Sequence, residues 1–98
     1  MTTVSIGTLK IAFRLHGIVS LKEKRGIANS LKQKLRNKFN VAVAETGVQD
    51  SLHSLELSVV TVSGDVQHIQ SIVRKGLAMI ETVSDDEIVD VSTEVFGV

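Results

Sequence analysis

The sequence contains no cysteine, proline, tryptophan or tyrosine among its 98 residues. Without cysteine the protein cannot form disulfides, thiolate metal sites or iron–sulfur clusters, and copper chaperones and cysteine nucleophiles are excluded as well. Because phenylalanine is the only aromatic residue and occurs three times, the core has to be aliphatic. An RNA-recognition motif needs stacking aromatics on strands one and three. That module is excluded because the open-face positions of the predicted third strand hold Glu56, Ser58 and Val60.

Long apolar runs are also missing, since none reaches the roughly 18–20 residues that a membrane-spanning helix needs. The first residues, MTTVSIGTLKI, lack the charged region of a secretory signal. We therefore predict a cytoplasmic protein with no membrane partner. The length suits one domain and is too short for two. No proline-rich or low-complexity linker interrupts the chain, so residues 1–98 are predicted to form that domain.

Acidic and basic residues balance, with eleven of each, but they are unevenly distributed. Eight of the basic residues lie between Arg14 and Lys38, where Glu23 is the only acid. Six of the acids lie in the last eighteen residues, which contain no base. The zero net charge argues against a general nucleic-acid binder. The distribution nevertheless predicts a particle with one basic side and one acidic side.

The spacing of apolar residues predicts six elements. Strands are predicted at residues 9–15, 41–45, 55–62 and 89–95, with a bulge near Gly7 in the first of them. Apolar residues at helical intervals predict helices from Leu21 to about Lys38 and over residues 66–80. Ser20 and Glu23 have the spacing of a capping box at the start of the first helix. Gly76 lies near the packing face of the second helix, where it allows close approach.

The order β-α-β-β-α-β in fewer than a hundred residues is typical of the ferredoxin-like split β-α-β fold. We predict the α+β class, with a four-stranded antiparallel sheet in the order 4-1-3-2 and both helices on one face. Strand four then lies beside strand one, which would bring Asp90 and Glu94 opposite Lys10 and Arg14 on the open face. The start of helix one, the loop between strands two and three, and the end of helix two should meet at one end.

The open sheet face is expected to be small and apolar around Ala12, Ala42, Ala44 and Val60. Ferredoxin-like domains often bury such a face between two copies. A homodimer through the open sheet face and an ordinary surface of alanines are both consistent with this pattern.

The first helix presents a basic stripe opposite its apolar side, formed by Lys22, Arg25, Lys32 and Arg36. Acids that would pair with these cations four residues away are almost absent. In addition, Lys22, Lys24 and Arg25 lie near the helix start, where the helix dipole is positive and disfavours cations. A bound anion would compensate, and so would an acid of the chain such as Asp50 or Asp85. An ordinary solvated helix surface is the third interpretation.

The remaining polar residues suggest no catalytic chemistry. The three histidines have no metal-ligand spacing, so no metal site is predicted, and no phosphate- or dinucleotide-binding motif that would hold a cofactor occurs. His16, which could approach His53, is a candidate at the shared loop end, together with Gln49 and Asp50. An acylphosphatase shares this length and topology. Residues 16–19 lack its glycine-rich loop ending in arginine, however, so enzymatic activity is not predicted.

Two blocks of the chain, SLKEKR at residues 20–25 and LRNKFNVAVAE at residues 35–45, resemble the YlxP-like family of bacterial proteins, a domain of unknown function numbered 503. The similarity extends over nearly the whole chain, including Gln49-Asp50 and Val89-Asp90-Val91. The resemblance implies a ferredoxin-like fold and no established activity. Because genes of this family tend to lie beside genes for translation initiation and ribosome maturation, it also implies an accessory role at the ribosome or its RNA.

We therefore hypothesise a non-enzymatic binding protein that docks the first helix on ribosomal RNA or a ribosomal protein surface. The candidate phosphate contacts are Lys22, Lys24, Arg25, Lys32 and Arg36. One alternative is a homo-oligomeric interaction module in which the basic helix of one copy meets the acidic strand-four edge of another. A binder of a phosphorylated small molecule at the loop end is a further alternative.

Overall fold

The first strand of the chain is one of the two inner strands of a four-stranded sheet. The computed structural model describes residues 3–98, in which the elements follow one another as β1 (Ser5–Arg14), α1 (Leu21–Lys38), β2 (Ala42–Thr46), β3 (Ser54–Ser63), α2 (Val66–Val83) and β4 (Glu87–Gly97). The strand order is β2-β3-β1-β4, and every neighbouring pair is antiparallel. This is the predicted 4-1-3-2 sheet read from its other edge, so the predicted fold class is confirmed.

Alternation along β1 determines which face of the sheet is covered. Its odd-numbered residues Leu9, Ile11 and Phe13 are buried and pack in one cluster with Ala28, Leu31 and Leu35 of α1. Ile80 of α2 belongs to the same cluster. Both helices therefore lie on one face of the sheet, and the even-numbered residues of β1 face the open side.

The side chains of Ser20 and Glu23 determine where α1 begins. The Glu23 backbone N–H donates to Ser20 Oγ at 3.1 Å, and the Val19 backbone N–H donates to Glu23 Oε2 at 3.2 Å. The predicted capping box thus forms, although its carboxylate accepts from the residue before the cap rather than from Ser20. Two amide groups that have no intrahelical partner are satisfied in this way.

The predicted bulge near Gly7 is wrong. β1 pairs without interruption through Gly7 with both neighbouring strands, and the register shift lies between Ala12 and Phe13 on the β4 side. Gly7 faces α2, and a Cβ there would overlap the Ile69 side chain. The glycine therefore allows a helix to approach closely. The next residue along the strand, Ile6, lies on the open face of the sheet, where Val62 and Phe96 flank it.

The register shift also changes the predicted ion pairs on the open face. Asp90 and Glu94 do lie there, but their partners in β1 are Ala12 and Thr8. The extra residue in β4 places Glu87 opposite Arg14, with 3.6 Å between Arg14 Nη1 and Glu87 Oε2. The prediction that Asp90 and Glu94 stand directly opposite Lys10 and Arg14 is therefore wrong in register and correct in the choice of face.

Two buried glycines are expected to respond in opposite ways to alanine. Gly7→Ala should lower the free energy of unfolding by about 1–3 kcal/mol, because the added Cβ would overlap Cγ2 of Ile69, which is fully buried. Gly76→Ala should raise it by up to about 1 kcal/mol through helix propensity. Its Cβ would meet Leu35 Cδ2 at 3.7 Å and Leu9 Cδ2 at 3.9 Å, which are ordinary contacts. Urea denaturation of both variants tests this, and the same sign for the two would contradict it.

Candidate functional site

The exposed side of α1 carries four cations that we call the basic helix face: Lys22, Arg25, Lys32 and Arg36. Lys22, Arg25 and Arg36 are exposed, and Lys32 is half-buried. The only acid of α1 is Glu23, whose carboxylate is engaged in the cap. Three ion pairs form between side chains within residues 3–98, namely Arg14–Glu87, His16–Glu87 and Lys24–Glu45. None of them involves the basic helix face.

Further cations extend this charge across the helical layer. Lys34 and Lys38 of α1 and Arg74 and Lys75 of α2 are all exposed. Lys38 and Lys75 line one groove between the two helices, of about 550 Å³. The open face on the other side of the sheet carries Glu56, Glu87, Asp90 and Glu94. Two cations, Lys10 and Arg14, also lie on that face, so it carries more acids than bases, while the helical layer holds most of the exposed cations.

Lys24 does not belong to this surface, and its prediction as a phosphate contact is wrong. Its side chain is 1% exposed. Its ammonium group donates to the backbone oxygens of Val48, Gln49 and Ser51 at 3.2, 3.2 and 2.9 Å. Glu45 Oε2 lies 3.4 Å away and is the compensating acid, rather than Asp50 or Asp85. A group with four internal partners has no donor left for an external anion.

The sequence contained a signal for this burial. Lys24 precedes Ala28 by four residues and Leu31 by seven, so it lies on the apolar stripe of the helix rather than on the basic one. Lysine can occupy such a position only if the ammonium group finds acceptors where the stripe ends. The carbonyls of the loop between β2 and β3 supply them.

The side chain of Arg36 is exposed, but it also makes one hydrogen bond within the protein. Its Nη2 donates to the Val43 backbone oxygen at 3.0 Å, and Gln49 Nε2 donates to the Glu45 backbone oxygen at 3.1 Å. Both acceptors lie on the free edge of β2. A guanidinium group has five N–H donors, so Arg36 retains donors for a ligand. Gln49, a candidate at the loop end, uses one amide N–H at this edge and keeps its other N–H and its side-chain oxygen.

Three segments meet at one end of the domain, as predicted. Lys24 joins the start of α1 to the loop after β2, and Glu23 lines a cleft of about 380 Å³ with residues 83–86 at the end of α2. Asp86 in this cleft has a pKa raised above its ordinary value of 3.8, because burial disfavours its charged form and Asp85 adds a second negative charge, while His16 partly opposes them. Three carboxylates line this cleft against one cation, Lys34, a balance that disfavours a phosphorylated ligand.

The two histidines at the loop end lie beside the ends of neighbouring strands, because the Leu15 amide, next to His16, donates to the His53 backbone oxygen at 2.8 Å. The contact of the His16 ring is with Glu87, however, at 3.2 Å between Nε2 and Oε1. Asp50 is exposed. Over the part of the chain that the structure describes, no three histidine or acidic side chains gather closely enough to hold a metal ion. Neither α1 nor α2 is long and apolar enough to cross a membrane.

Comparison with known proteins gives one family and one fold. Residues 6–93 match the family described as "Protein of unknown function (DUF503)". The chain is 31% identical over 77 residues to the "Uncharacterized protein YlxP" of Bacillus subtilis (strain 168), which covers 79% of this chain and 84% of that protein.

Two solved structures are similar in fold. A dimeric ferredoxin-like protein of unknown function from Bacteroides fragilis NCTC 9343 aligns with a TM-score of 0.56 at 10% identity and covers 96% of each chain. A dimeric ferredoxin-like protein of unknown function from Thermobifida fusca YX aligns with a TM-score of 0.51 at 14% identity and covers 97% of this chain and 92% of that one.

Proposed function

The chain belongs to the YlxP-like DUF503 family, and we propose that it is a cytoplasmic binding protein that docks its basic helix face on structured RNA, ribosomal RNA in particular. The observation that carries this proposal is a row of cations on α1 without acidic partners. Such a row costs free energy through mutual repulsion and, for Lys22, through the helix dipole. An RNA backbone would offset that cost. Contacts of this kind position a protein on RNA without reading its sequence.

The dimensions of the basic helix face are consistent with a nucleic acid. From Lys22 to Arg36 the helix rises by about 21 Å at 1.5 Å per residue. A duplex presents several phosphates over that length. Asn29 and Gln33 lie between the cations and add neutral hydrogen-bonding groups. Lys34, Lys38, Arg74 and Lys75 would provide long-range attraction from the same side of the molecule.

Charge reversal at the helix start tests the proposal. The double variant Lys22→Glu with Arg25→Glu should bind a ribosomal RNA fragment at least about tenfold more weakly, because two charge-assisted contacts become repulsive. The same variant should be no less stable than the wild type, since glutamate at position 22 interacts favourably with the helix dipole, by about 0.3–1 kcal/mol. Lys10→Glu, an exposed reversal on the open face, is the control and should bind normally. Unchanged RNA affinity in the double variant would reject the basic helix face as the docking site.

A homodimer through the open face is a second candidate, favoured by one observation. Ile6 pairs with Val62 on one side and with Phe96 on the other, which forms an apolar row across one end of this face, with Val60 in the next row. Val60, Val62 and Phe96 are exposed. The predicted apolar area around Ala12 is instead bordered by Glu56 and Asp90. Two solved structures of similar fold are described as dimeric, which supports self-association without indicating the face that forms it.

If the dimer forms, Val62→Lys should convert it to a monomer, because an ammonium group would be buried at the apolar row. Val48→Lys introduces the same residue at an exposed valine of the β2–β3 loop and should leave the mass unchanged. Light scattering over a range of protein concentrations measures both. A dimer that resists Val62→Lys but dissociates when Asp90 and Glu94 are changed to lysine would favour pairing of the basic helix with β4.

A further inference from the structure

The outer edge of β4 presents a row of backbone hydrogen-bonding groups. The Val98 amide donates to the Val4 oxygen at 2.8 Å. In an antiparallel ladder the residues bonded to one neighbour alternate with residues whose N–H and C=O point the other way. With the register of β1 and β4, the even-numbered residues of β4 are bonded to β1, so Val91, Thr93 and Val95 direct their backbone groups outward. No side chain in residues 3–98 hydrogen-bonds a backbone group of residues 89–97.

The opposite edge of the same sheet is blocked. On β2 the outward oxygens of Val43 and Glu45 accept from Arg36 and Gln49. Proteins commonly protect edge strands against unwanted pairing with side chains of this kind. The two edges thus differ sharply, because β2 is short and blocked whereas β4 extends over 11 residues and is open.

The two sides of β4 specify what kind of strand could be added. On the helical side, Thr93 and Val95 line a groove of about 350 Å³ together with Val73 and Leu77 of α2, and Gln70 and Arg74 complete its lining. Every second side chain of an added strand would point toward this mainly apolar groove. On the open face, the neighbouring positions carry Asp90 and Glu94. The intervening side chains of an added strand would meet these two carboxylates.

A second copy of this chain does not satisfy that pattern. Antiparallel pairing of β4 with itself would bring Asp90 and Glu94 close to the same acids of the other copy, and like charges across strands are destabilising. Lys10 of β1 lies opposite Ser92 of β4, between the two acids, and offsets only part of their negative charge. Basic side chains at those positions would instead form cross-strand pairs of opposite charge.

We propose that β4 is a strand-addition site for an extended segment of another protein that alternates apolar with basic residues. The backbone of the segment would pair with Val91, Thr93 and Val95, which is the usual source of affinity in this mode of recognition. Its apolar side chains would extend the groove beside α2, and its basic side chains would meet Asp90 and Glu94. The acids on β4 then have two effects, since they disfavour self-association and select a basic partner.

The test uses a synthetic peptide of about eight residues, a common strand length, in which valine alternates with lysine. Binding is measured by fluorescence anisotropy, and the contacted amides are identified by NMR. The peptide should perturb the amides of residues 89–97. Thr93→Pro should weaken binding roughly tenfold or more, because it removes an outward N–H that β1 does not use. A peptide N-methylated at alternate residues should bind the wild-type protein equally weakly, which tests backbone pairing without changing the protein.

Charge exchange tests the specificity of the site. A variant with Asp90→Lys and Glu94→Lys should lose the valine–lysine peptide and bind a valine–glutamate peptide instead. The proposal is overturned if the N-methylated peptide binds as well as the unmodified one, if the perturbed amides lie outside β4, or if the wild-type protein forms a dimer that Thr93→Pro dissociates. The basic helix face takes no part in these measurements, so their failure would leave the proposed RNA docking untouched.

Discussion

Replacing Lys24 with methionine is expected to lower the free energy of unfolding by about 3–5 kcal/mol. The substitution keeps the volume of the side chain and removes only its charge and donors. Glu45, with a side chain 15% exposed, would then be left beside an apolar group. The backbone oxygens of Val48, Gln49 and Ser51 would lose their shared donor. An acceptor buried without a partner costs free energy beyond the hydrogen bond itself.

The matched control is the same substitution two residues earlier. Lys22 is exposed on α1, so Lys22→Met should change the stability by no more than about 0.5 kcal/mol. Combining Lys24→Met with Glu45→Gln should cost less than the sum of the single changes, because the two side chains interact directly. Urea denaturation of the wild type, the three single variants and the double variant measures these differences. A loss below about 1 kcal/mol for Lys24→Met would show that the internal partners of Lys24 do not hold the loop.

Binding to RNA through the basic helix face should weaken steeply with salt. Four phosphate contacts correspond to a log–log slope of about −2.8 to −3.6, which lowers the affinity roughly 50- to 150-fold between about 50 and 200 mM salt. This dependence arises because each neutralised phosphate releases condensed counterions. Filter binding or anisotropy with a ribosomal RNA fragment measures it.

The slope also identifies which lysines take part. Lys22→Gln should reduce its magnitude by about 0.7–0.9, because one phosphate contact is lost. Lys10→Gln, on the open face, should leave the slope unchanged and serves as the control. A slope near zero would exclude phosphate contacts as the basis of binding, and an equal reduction by Lys10→Gln would place the RNA on the other face.

The local patterns predicted the elements well for a physical reason. Alternation along β1 and the spacing of Ala28, Leu31 and Leu35 are properties of neighbouring residues, and burial of one face follows from them directly. The capping residues Ser20 and Glu23 act within one turn. The strand order then follows from short connections and from the handedness of the crossovers. These features required no knowledge of which distant residues meet.

The site was predicted less completely because its composition depends on contacts between distant residues. Lys24 illustrates this, because its spacing from Ala28 and Leu31 marks it for burial but does not identify its partners. Those partners, Glu45 and three backbone oxygens of the loop after β2, are distant in the chain. The register shift between Ala12 and Phe13 similarly decided that Arg14 pairs with Glu87. A single inserted residue changes every later pairing, and no local pattern marked its position.

The sequence by itself thus determined the fold class, the placement of both helices and the existence of a basic stripe on α1, because periodicity and composition act locally. Only the tertiary structure decided which groups accept from the buried Lys24, which end of the open face is apolar, and which edge of the sheet is open. Those properties depend on the side chains that neighbouring elements bring together. The blocked edge at β2 and the open edge at β4 exist only once the strands have been ordered.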